Sequence, residues 1–148
     1  MKVINSDEAK NICLYINNYS KMVEPDSEIY LECEIVNNTS YILDSMGETP
    51  LYISYHWFDC MDKEVVHDGI RTPILPLKPH MNEKISVRIQ SPEQHGKYLL
   101  CLTFVQENVQ WFNSPDINNM VLFPSKYKSF HGGRIPNKIK LFLAPILI

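Results

Sequence analysis

The sequence predicts an all-β chain folded as two antiparallel sheets packed face to face, and three observations carry that prediction. Apolar and polar residues alternate with a period of two in several separate stretches, the spacing that puts one face of a strand in a core. Proline, asparagine and glycine punctuate those stretches at short intervals, where turns between strands fall. No stretch carries a convincing helical period.

Residues 1–10 are polar and are expected to fray. A first strand is expected over 11–16, ending in the turn or bulge Asn17-Asn18-Tyr19-Ser20. After the turn signal Pro25-Asp26-Ser27-Glu28, residues 28–36 alternate, with Ile29, Leu31, Cys33 and Ile35 on one face and Tyr30, Glu32 and Glu34 on the other. Asn37-Asn38-Thr39-Ser40 ends that strand, and 41–50 is a looser segment. The stretch 51–76 organises the rest. Leu51, Ile53, Tyr55 and Trp57 alternate with Tyr52, Ser54, His56 and Phe58, which makes Trp57 a core anchor. The polar turn 59–63 returns the chain as the short run 64–67, a hairpin. Gly69 is expected to allow a positive φ and Pro73 to bar a ladder hydrogen bond, so the chain leaves the sheet near Asp68 and crosses a sandwich edge. Residues 77–82 form a further turn, 83–90 alternates with Ile85, Val87 and Ile89 inward, 91–96 is a loop, and 97–106 is the longest clear strand. Glu107-Asn108 reads as a tight two-residue turn that brings 109–112 back antiparallel. The sandwich domain is thus expected over 11–113. Residues 114–148 read as an extended tail whose apolar end, 139–148, is either a terminal strand on the sandwich or a partner-binding segment.

At 148 residues the chain has room for one domain with a sizeable core. A net charge of -3, with both signs scattered, offers neither a basic stripe for nucleic acid nor a polybasic patch for anionic lipid. There is no secretory signal pattern and no apolar run near the roughly 20 residues of a membrane-spanning helix, so a cytoplasmic protein without membrane insertion is expected. Cys13, Cys33, Cys60 and Cys101 include no C-x-x-C pair. Cys33, Trp57 and Cys101 follow the order of the immunoglobulin disulfide and its tryptophan pin, yet the alternation puts Cys33 on the apolar face of its strand and Cys101 on the opposite side from Tyr98, Leu100, Leu102 and Phe104. Free thiols are expected.

Nucleotide-binding, metalloprotease and nucleophile-elbow motifs are absent. The five histidines never fall at i, i+2 or i, i+4, so no local metal clip is encoded, and neither metal nor cofactor is expected, although distant ligands can meet in space. Asp59, Asp62 and Asp68 near loops read as solvated turn formers, so no catalytic residue is assigned and no enzyme is expected. A more informative set is aromatic and polar. His56, Phe58, Trp111 and Phe112 supply flat apolar faces on which a pyranose C–H side stacks, and Asp68, Arg71, Gln106 and Glu107 supply partners for hydroxyls. The plainer reading of Trp57 and Trp111 is core packing, and that of Arg71 is a carboxylate bridge pinning the crossover.

Over 55–112 the chain combines Tyr55-x-Trp57, Gly69-Ile70-Arg71-Thr72-Pro73, Pro92-x-x-x-Gly96-x-Tyr98 and Val105-x-Glu107-x-x-x-Trp111-Phe112. In this it resembles a bacterial β-sandwich module found beside glycosyltransferases and methyltransferases of cell-surface polysaccharide synthesis. Its architecture also looks similar to the C-terminal carbohydrate-binding domain of O-antigen ABC exporters. The resemblance implies an immunoglobulin-like antiparallel β-sandwich that binds a polysaccharide or oligosaccharide without transforming it, with a glycosyltransferase, methyltransferase or exporter as partner. Gln106 and Glu107 belong to its pattern, whereas Pro79-His80 stands where the module has Pro-Gly. The alternative is a structural or protein-interaction domain that orients or dimerises a partner enzyme, including as a homodimer.

Overall fold

Tyr55 and Trp57 alternate into the same interior, and the fold is built around them. The computed structural model describes residues 1–18, 23–112 and 120–124, with Ser6, Asn18 and 120–124 described by their backbone alone. Among the described residues the chain is all-β apart from one short helix, α1 (Ser6–Ala9), and it forms an immunoglobulin-like antiparallel sandwich. Strands β1 (Ile12–Asn18), β2 (Glu28–Asn37) and β6 (Asn82–Gln90) make a three-stranded sheet in the order β1-β2-β6. The larger sheet is centred on β3 (Leu51–Asp59) and β7 (Lys97–Gln106), paired in continuous register from Leu51↔Gln106 to Asp59↔Tyr98. On the other edge of β3 lie β4 (Glu64–Val66) and β5 (Thr72–Pro73), and on the other edge of β7 lie β8 (Gln110–Phe112) and β9 (Met120–Pro124). No described helix is long and apolar enough to cross a membrane.

The interior collects the residues that the alternation assigned to it: Leu31, Cys33 and Ile35 from β2, Leu51, Ile53, Tyr55 and Trp57 from β3, Val87 and Ile89 from β6, and Leu100, Leu102 and Phe104 from β7. Each large aliphatic or aromatic side chain withdrawn from water contributes about 1.5–3 kcal/mol. Polar atoms of the two core aromatics do a second job. β6 is an edge strand of the small sheet, and its outward-facing amides need acceptors. The Gln90 N–H donates to the Tyr55 hydroxyl at 2.9 Å, the Trp57 indole N–H donates to the Gln90 carbonyl at 2.9 Å, and the Arg88 N–H donates to Thr72 Oγ1 at 3.1 Å. Side chains of one sheet therefore close the edge of the other.

Several local expectations are corrected by the packing. The first ten residues do not fray: Ile4 is fully buried, the Met1 amino group donates to the Met46 carbonyl at 2.8 Å, and α1 is capped by the Asn5 side chain. Gly69 does not have a positive φ; it is glycine because a Cβ there would lie 2.6 Å from the Tyr55 carbonyl oxygen and 2.8 Å from the Tyr55 ring. The Gln106–Gln110 hairpin has three loop residues rather than two, closed by the Val109 N–H on the Gln106 carbonyl, with Asn108 left-handed at φ 65°. His80 does take the left-handed geometry that glycine adopts freely, at φ 64°. The four cysteines are free thiols; Cys33 sits in the core and burial pushes its pKa up to about 12. The proposed tail lies outside the described residues except for β9, which is a strand of the larger sheet and not a loop.

Tyr55→Phe, which removes the acceptor for the Gln90 amide without emptying the core, is expected to lower unfolding free energy by about 1–3 kcal/mol in urea denaturation. Gly69→Ala is expected to cost a comparable amount, about 1–3 kcal/mol in the same assay, because the added methyl meets backbone rather than a movable side-chain end.

Candidate functional site

The crossover between β4 and β5 carries most of the chemistry in the described chain. The hairpin turn before it is set by Asp59, whose carboxylate accepts the Met61 and Lys63 amides, each at 2.9 Å, while Asp62 adopts φ 62°. A register shift between Trp57 and Phe58 follows, with Trp57 opposite Val66. That pairing brings His67 beside His56, where the rings stack with centroids 4.7 Å apart and the His56 Nδ1 lies 2.5 Å from the His67 carbonyl. Trp111, from β8, lies 4.5 Å from the His56 ring and 5.1 Å from the His67 ring. The Arg71 guanidinium lies over the indole at 4.8 Å, a cation–π contact.

Arg71 is the hub of the polar half. It donates through Nε to Glu107, through Nη1 to the Gly69 carbonyl at 2.8 Å, and pairs through Nη1 with Asp68 at 2.5 Å. Burial alone would lower its pKa, but the Glu107 and Asp68 carboxylates outweigh that and hold it above the ordinary value. His56 goes the other way. Burial holds its imidazole below the usual histidine range, against the His67 carbonyl and Glu64, which favour the charged form.

The eight residues singled out in the sequence do not form one site. His56, Asp68, Arg71, Glu107 and Trp111 converge as described, and Phe58 meets the His56 ring edge-on at 6.5 Å. His56 is not the accessible residue its strand face promised; the His67 and Trp111 rings leave it 5% exposed. Gln106 is fully buried and bonded at both ends of its amide: Oε1 accepts the Ile4 amide at 3.0 Å, and Nε2 donates to the Lys2 and Thr49 carbonyls at 2.7 and 2.9 Å. It clasps the N-terminus, with both amide hydrogens used and no surface open to a ligand. Phe112 packs into the core.

What sequence reasoning missed is a second feature at the same end of the sandwich. An open pocket of about 670 Å³ lies among the β1–β2 turn, the crossover and the β6–β7 loop, with Tyr55, Ile70 and Tyr98 among its lining and Asp26, Asp68 and Glu93 as its carboxylates. Gln90 and Gln94 line it too, and among the described residues no Lys, Arg or His does. Only Asp68 belongs to both the pocket and the predicted set. The missed His67 and Glu64 join the outer cluster through hairpin register, a signal present once the turn 59–63 is placed: with Trp57 opposite Val66, the next antiparallel pair is His56 with His67.

Because His56 is held neutral when folded and titrates near 6.5 when unfolded, the unfolded chain takes up its proton first as pH falls. This group's contribution is complete above 6.5 and is lost on acidification through and below that value. Urea denaturation between neutrality and about pH 5 is expected to show a smaller loss of stability in His56→Gln than in the parent chain.

No protein-family model matches the chain, and no curated protein matches it. Solved structures do. A β-glucosidase from Listeria innocua, in complex with glucose, aligns at 12% identity and a TM-score of 0.48 over 76% of this chain, which spans 16% of the length of that enzyme. The CARDB domain of a Pyrococcus furiosus protein, in complex with di-metal ions, aligns at 14% identity and a TM-score of 0.43, covering 76% of this chain and 87% of the other. A PapD-like domain of human CEP192 aligns at 12% identity and a TM-score of 0.32, covering 84% and 92%.

Proposed function

We propose that the chain is a non-catalytic carbohydrate-binding domain and that its sugar sits in the pocket at the crossover end. One observation carries the reading: an open pocket of about 670 Å³ whose polar lining is rich in acceptors and whose apolar lining includes Val65, Val66 and Ile70. Sugar hydroxyls are donors in need of such acceptors, and the C–H faces of a pyranose need an apolar surface to lie on. The volume suits a small ligand. Asp26 and Glu93 bring negative charge to the lining, whereas Asp68 is already paired with Arg71. A neutral or amino sugar therefore fits better than an anionic one. Arg71 and Glu107 act as positioning residues in this account, since they hold the segment that carries Asp68. The motif resemblance over 55–112, with its association with surface-polysaccharide assembly, supports the same class of ligand.

NMR titration with neutral, amino and uronic-acid oligosaccharides tests the proposal. Shifts are expected at Gln90, Glu93, Gln94 and Asp68 at millimolar neutral or amino sugar, with binding weakened about tenfold in Glu93→Gln, roughly the worth of one charge-assisted hydrogen bond. Shifts confined to the outer cluster, or no shifts with any of the three classes, would overturn it.

A further inference from the structure

The β3–β4 hairpin gathers three groups that the proposed sugar pocket does not use. His56, Glu64 and His67 each offer one ligand atom, and these atoms lie within 4.8 Å of one another. The His67 Nδ1 is 2.8 Å from one Glu64 oxygen and the His56 Nδ1 is 3.9 Å from the other. Two imidazoles and a carboxylate are a zinc donor set, and bonds of about 2.0–2.1 Å in a tetrahedron put ligand atoms about 3.4 Å apart, so the widest separation in the cluster, up to 4.8 Å, has to close. Rotation of the exposed Glu64 and His67 side chains closes the set around His56, which is buried.

Glu64 faces both histidines, while the Arg71 charge is paired with Asp68 and Glu107 and its donors go to those carboxylates, the Gly69 carbonyl and Ser54 rather than to the histidines. The His56 Nδ1–H donates to the His67 carbonyl, which leaves the ring's lone pair on Nε2 as its metal-binding atom. The Trp111 indole walls one side. We propose that His56, Glu64 and His67 bind one divalent transition-metal ion, zinc foremost, with water completing the tetrahedron and the ion tying β4 to β3.

The full chain, stripped with chelator, is titrated with zinc by calorimetry and with nickel by tryptophan fluorescence. Trp111 reports on the site and the core residue Trp57 supplies the unquenched background. One zinc per chain is expected, with nickel quenching at the same stoichiometry. His67→Ala and Glu64→Gln are expected to weaken binding by about tenfold or more, while His95→Ala in the exposed β6–β7 loop leaves it unchanged. The metal-free variants are compared by thermal unfolding, so that a folding defect is read separately. Equal affinity in the parent and His67→Ala, or no binding at millimolar zinc, would overturn the proposal.

Discussion

The exposed edge of β6 is the constraint on which the structure depends. A three-stranded sheet with an open edge presents unpaired amides and invites pairing with another chain. Here the Arg88 and Gln90 amides and the Gln90 carbonyl are met by Thr72, Tyr55 and Trp57 from the opposite sheet. The same side chains fill the interior, so hydrophobic burial and edge closure are one event. Tyr55 and Trp57 suit this role because each buries a large ring and retains one polar atom that needs a partner. That dual demand also explains Gly69: the crossover must pass directly over Tyr55, and only a residue without a Cβ fits.

Edge closure and the pocket share parts. Tyr55, under Gly69 and bonded to Gln90, lines the pocket, and Gln90 and Asp68 lie on its sides. Arg71 fixes the crossover from the outside through Asp68 and Glu107. A ligand there would meet preformed walls, which limits the ordering cost of binding. The outer face of the larger sheet is a different environment. Leu99, Cys101, Thr103 and Val105 point away from the sandwich interior yet are buried, so β7 is enclosed on both faces. Cys101 shares this character, its pKa pushed up to about 12 by burial.

Strands with strict alternation were legible in the sequence. The reading of 97–106 matches β7 at both ends, and 28–36 and 83–90 fall one residue short of β2 and β6 at one end, because period-two burial is written directly in the residue order. The free state of Cys33 and Cys101 followed from the same parity. Features made by contacts between distant segments were not legible. Nothing in residues 1–10 announces that Gln106 will bond the Lys2 carbonyl and the Ile4 amide, or that Ile4 will enter the core. Gly69 invites a conformational explanation until Tyr55 is seen beneath it. Of the site, the Arg71, Glu107 and Trp111 convergence was foreshadowed, whereas the pocket was not, since its lining comes from separate strands and loops that carry no shared spacing.

Amide hydrogen exchange tests edge closure most directly. Arg88 and Gln90 lie on an edge strand, where outward amides ordinarily exchange through local fraying. Closure by Thr72 and Tyr55 predicts that these two amides exchange as slowly as those of the paired β3–β7 centre, through global opening alone. Exchange as fast as that of the exposed loop residue Glu93 would contradict it.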